Sequence, residues 1–73
     1  MITDGENWRP KFADCCAFWD DISKVSRYGV FNNMSGGLFI SDGGWLWNHC
    51  AALESLDEIG KPVSYFIERG RWA

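Results

Sequence analysis

Five tryptophans stand in a chain of only 73 residues, and no other feature constrains its fold so tightly. A domain of this length has one thin core, worth about 3–5 kcal/mol of net stability, so each large ring either fills that core or stands outside it for a reason. Trp19, Trp45 and Trp47 sit inside apolar stretches and suit the core. Trp8 and Trp72 lie near the chain ends, each beside an arginine (Arg9 and Arg71). Tryptophan and arginine combine apolar area with directional donors, and they dominate binding energy at protein interfaces. With Arg69, these four form the candidate partner-binding set: Trp8, Arg9, Arg69, Arg71 and Trp72.

The length allows one domain, residues 1–73, with a loose polar arm at 1–7 and a basic aromatic tail at 69–73. Asn7 is placed to cap a helix that runs from Trp8 to about Arg27. Phe12, Cys15, Cys16, Trp19 and Ile22 recur at three- and four-residue spacing along it, with Phe18 and Val25 on the flank. Asp20 is spaced to pair with Lys24, and Gly29 marks the stop. Tyr28–Phe31 then reads as a strand, followed by a turn cluster of Asn32, Asn33, Ser35, Gly36 and Gly37. Leu38–Ser41 is a second strand, and Asp42–Gly43–Gly44 a hairpin turn. Trp45 and Trp47 alternate around Leu46 as a strand would, yet Trp45 and Leu46 also extend the apolar side of a following helix. Both assignments stay open. That second helix runs from Asn48 to Ile59, burying Ala52, Leu53, Leu56 and Ile59, and ends at Gly60 and Pro62. Val63–Glu68 is a closing strand rich in β-formers. The expected architecture is α+β: a three- or four-stranded, mostly antiparallel sheet packed on two helices.

Chemistry is sparse in this sequence. The three cysteines include the neighbours Cys15 and Cys16, which no unstrained disulfide can join, and an odd set of this kind reads as reduced thiols in a cytosolic protein. Zinc sites need ligands spaced so that two face one ion, whereas His49 and Cys50 are adjacent, as are Cys15 and Cys16. No cofactor is expected. A thiol enzyme would need one cysteine within reach of His49 and a third group to orient the ring. The paired glycines lack the lysine and hydroxyl of a phosphate loop.

A net charge of −3 opposes general binding to nucleic acid, which requires a basic surface. The same balance counts against a winged-helix reading of the ending Tyr65–Trp72, as does the long β-rich insert between the two expected helices. Met1 is followed by polar residues rather than a signal sequence, and no apolar run approaches membrane-spanning length. The expectation is a cytoplasmic, non-enzymatic protein that binds another protein.

In size and make-up the whole chain, Trp-rich and without catalytic motifs, resembles small phage-encoded regulators that take over host machines, in particular those that bind bacterial RNA polymerase. The resemblance implies stoichiometric regulation of transcription in the host cytoplasm, by occupation of a surface on the polymerase. Anti-CRISPR and anti-restriction inhibitors of host nucleases share the same style and are the alternative.

Overall fold

In the computed structural model, residues 8–21 and 24–73 are described. They form strands β1 (Cys15–Trp19), β2 (Arg27–Ser35), β3 (Leu38–Ser41), β4 (Leu46–Trp47) and β5 (His49–Ala52), then one helix, α1 (Val63–Arg69). The strands make a single sheet in the order β4-β3-β2-β1-β5, and every neighbouring pair is antiparallel. The expected three or four strands on two helices are therefore corrected: the molecule is mostly sheet, with one seven-residue α-helix among the described residues.

The stretch read as the first helix is instead organised around β1, which lies between β2 and β5. Cys16 and Phe18 pack into one cluster with Phe31, Phe39, Cys50 and Ala52. Ala17 and Trp19 enter a second cluster with Ala51, Val63 and Phe66 on the opposite face. A strand buried on both faces shows an unbroken apolar run and no alternation, which periodicity cannot separate from a helix stripe. Asp20 serves a different partner from the one expected: its Oδ1 accepts from the backbone N–H (2.7 Å) and the amide (3.0 Å) of Asn48. Asn7 and Ile22 lie outside the described residues, as does the polar arm.

The second expected helix dissolves for the same reason. Cys50, Ala51 and Ala52 are all buried in β5, and the ladder continues for one more bond, Leu53 N–H to the Cys15 carbonyl at 2.8 Å. Only Leu56–Glu58 turns, as a short 3-10 segment opened by Ser55. Leu56 and Ile59, expected in the core, are 74% and 50% exposed.

The closing strand is α1. Pro62 precedes its first turn, and Gly70 ends it in the left-handed region at φ 79°. Val63 and Phe66, three residues apart, put one face on the sheet, and that burial outweighs the β preference of Val63, Tyr65 and Ile67.

The middle of the chain folds much as its turn residues indicate. β2 contains Tyr28–Phe31 and runs on through Asn32, Asn33 and Ser35, so the turn narrows to Gly36–Gly37, both at positive φ. Of the open stretch Trp45–Trp47, Leu46–Trp47 resolves to strand β4, while Trp45, expected to suit the core, precedes it and is 59% exposed. Trp47 pairs with Phe39, donates its indole N–H to Ser41 Oγ at 3.0 Å, and stacks on Phe18 with centroids 6.3 Å apart. A bulge between Phe31 and Asn33 bends β2. The strand's first half pairs with β1, and Phe31 and Phe39 from beyond the bend reach the β1–β5 face opposite α1. Gly29 is no helix stop. It lies within β2, where a Cβ would come 2.5 Å from Asp42 Oδ1, the atom that accepts from Val30 N–H.

Candidate protein-docking surface

The terminal residues nominated from the sequence are largely engaged within the fold. Trp8 is partly buried on the first cluster, together with Trp47 and Ala73, and Arg9 donates to the Trp8 carbonyl at 2.7 Å. Trp72 packs on the second cluster and bridges to Ala51, while Ala73 exchanges both backbone hydrogen bonds with Cys50. The tail thus pairs along the outer edge of β5. Arg69 binds Glu54 at 2.9 Å and Glu58, and its guanidinium lies over the Tyr65 ring. Arg71 binds Glu54 as well. The two ends share no cluster through their tryptophans, since Trp8 belongs to one face and Trp72 to the other.

Glu58 anchors the loop before α1. Burial by itself would raise its pKa. The Tyr65 hydroxyl, the backbone N–H groups of Glu54 and Ser55, and the Arg69 charge outweigh burial and hold the carboxyl below the usual value. The other end of the Tyr65 bond shifts upward, because the phenol proton is held by the carboxylate.

The thiols and the imidazole diverge. His49 alternates to the α1 face, where it stacks on Trp19 (centroids 6.0 Å apart) and meets Trp72 at a tilt (5.9 Å), and its Nδ1 lies 3.3 Å from the Ala73 carbonyl. Cys16 and Cys50 belong to the opposite cluster. The Cys50 thiol is held far above its ordinary range by a hydrogen bond with Cys16 and by burial, which leaves it protonated and a poor nucleophile. Cys15 shares the His49 face, but β1 pairs Trp19 with His49, placing Cys15 about 13 Å along the strand. Among the described residues no group of three or more His, Cys, Asp or Glu is arranged to hold a metal ion. Nor is any helix there long and apolar enough to cross a membrane.

What the structure does assemble is an apolar face that sequence reasoning missed. The register places Tyr28 and Val30 of β2, Cys15, Ala17 and Trp19 of β1, and Ala51 and His49 of β5 on one side of the sheet. Helix α1 covers the Ala17–Trp19–Ala51 end. At the other end Cys15 is exposed, Val30 is 38% exposed, and the hollow between them is walled by Tyr28, Leu53, Leu56 and Ile59. This hollow adjoins one that shares Val30 and is lined by Phe12, itself 76% exposed. Another shares Cys15, Leu53 and Leu56 and includes Glu54 and Ser55. Single exposed apolar residues are ordinary, whereas these line hollows that share residues with one another.

A signal for the surface existed. Ser55-Leu56-Asp57-Glu58 is a capping box, and both of its reciprocal bonds are present. Starting the turn at Ser55 instead of Asn48 releases Leu56 and Ile59 from the core. No protein-family model, curated protein or solved structure matches the chain.

Proposed function

We propose that this chain is a non-catalytic protein-binding domain that occupies a surface on a larger protein through Phe12, Val30, Cys15, Leu53, Leu56 and Ile59. One observation carries the reading: half of a sheet face is covered by α1, and the other half, equally apolar, is open to solvent. A thin core has every reason to draw in Leu56 and Phe12 if they are to serve stability alone, since each buried side chain of that kind contributes about 1.5–3 kcal/mol. Side chains left outside at that cost suit a partner. The terminal set Trp8, Arg9, Arg69, Arg71 and Trp72 then acts mainly by holding the fold, and any contact it makes with a partner is secondary.

Likeness in size and make-up to small phage regulators puts bacterial RNA polymerase first among the targets to test, with the protein acting in the host cytoplasm. A defence nuclease comes second. The experiment is a binding assay with purified polymerase, using the intact chain and its Leu56→Glu variant. A complex formed by the intact chain and lost in the folded variant supports the reading. Equal binding by both moves the interface elsewhere, and no binding by either removes polymerase as the target.

A further inference from the structure

The two sides of Gly70 are held very differently. Before it, α1 is anchored by Val63 and Phe66 in the second cluster and by Arg69, which binds both Glu54 and Glu58. After it, residues 71–73 lie along the outer edge of β5. Ala73 exchanges both backbone bonds with Cys50, at 3.0 and 2.8 Å, and Trp72 bridges to Ala51. Arg71 adds an ion pair with Glu54, but the two side chains are 44% and 57% exposed, where such a pair contributes little. One cost opposes this closed arrangement. The Trp72 indole N–H is buried and has no hydrogen-bond partner. Buried donors are nearly always paired, and one that is not carries the full cost of losing its water. Release of residues 71–73 returns that donor to solvent. It also strands no charge, because Glu54 keeps Arg69 when Arg71 departs. Gly70, at φ 79°, stands at the boundary, and its backbone freedom lets the chain turn there while its own N–H still caps the helix on Ile67.

We infer that residues 70–73 form a strap that opens about Gly70 while the sheet and α1 stay folded. Closed, the strap seals the outer edge of β5. Open, it bares the N–H and C=O of Cys50 and frees the His49 ring that Trp72 meets at a tilt. Unpaired edge groups of this kind are where a foreign strand can add, so the strap gates that edge.

Strand β5 carries its own pair of reporters. Cys50 N–H bonds the strap, whereas Leu53 N–H bonds Cys15, and the alternation of an antiparallel ladder turns Ala51 N–H towards β1 as well. Cys50 and Ala51 are both buried. The experiment is amide hydrogen exchange of the intact chain, read by NMR with and without dilute urea. Cys50 should exchange at least about tenfold faster than Ala51 after correction for intrinsic rates, and the Trp72 indole N–H should follow Cys50. Urea should accelerate Ala51 and leave Cys50 nearly unchanged, since opening the strap exposes little surface. In Trp72→Ala, Cys50 should lose most of its protection while Ala51 stays protected at least about tenfold. Equal rates and equal urea responses for Cys50 and Ala51 would overturn the strap, because both would then open only with the whole fold. A Trp72→Ala chain that unfolds would overturn it too, by showing that Trp72 belongs to the core and not to a separate closing element.

Discussion

Two ends of one sheet face differ in what covers them. Under α1, Ala17, Trp19 and Ala51 meet Val63 and Phe66 and are fully enclosed. At the Cys15 end, Val30, Leu53, Leu56 and Ile59 line an open hollow. Both ends are apolar, so composition cannot tell them apart. The difference comes from the short reach of α1, a seven-residue helix that spans only about 10 Å. Folding uses one end, and under the proposed function the other is left for a partner.

If that division is right, the largest stability effect belongs to the covered end. Phe66→Ala removes a ring that is 1% exposed and stacked 6.2 Å from Trp19. The expected loss is about 3–5 kcal/mol, enough to unfold so small a domain, and urea titration followed by tryptophan fluorescence measures it. A loss below about 1 kcal/mol would erase the contrast between the ends.

Next comes the loop that joins them. Glu58→Gln weakens the network with Tyr65 and Arg69 and is expected to cost about 1–2 kcal/mol at neutral pH. The sign of the pH dependence follows from the depressed carboxyl. Its folded pKa lies below the ordinary 4.5, so the unfolded chain binds more protons in acid. Its contribution is complete above the unfolded value and is lost as pH falls through the folded one. Melting temperature against pH should therefore drop below about pH 4.5 in the wild type more steeply than in Glu58→Gln. Parallel curves would show that Glu58 does not tie the loop down.

Gly29→Ala is expected to act more weakly, on the side of β2 opposite the open face. The added Cβ pushes against Asp42 Oδ1 and strains its bond to Val30 N–H, at a cost of about 1 kcal/mol. Shortening Asp42 as well, in Gly29→Ala/Asp42→Ala, should remove the clash, so that the two changes are non-additive in a double-mutant cycle.

Legibility followed the same division between local and non-local causes. The two glycine turns and the strand Leu38–Ser41 are written in residues that act locally, and they appear where those residues place them. Cys15–Trp19 and Cys50–Ala52 read as helix because their burial on both faces is set by strands and a helix distant in sequence. Val63–Glu68 read as strand by composition, although Pro62 before it and Gly70 after it already carry the start and stop of a helix. The tail arginines and tryptophans were identifiable as unusual residues, but their engagement by Glu54, Glu58 and β5 is a tertiary fact. The open face was hidden by the helix reading itself, which consigned Leu56 and Ile59 to a core.

The most direct test of the division is one variant measured two ways. Leu56→Glu places a charge where the side chain is 74% exposed, at the centre of the open end. Unfolding stability should stay within about 0.5 kcal/mol of the wild type, while binding to a partner that engages this face should fall at least about tenfold. A variant that unfolds, or one that keeps both its stability and its partner, would contradict the assignment of this face to binding.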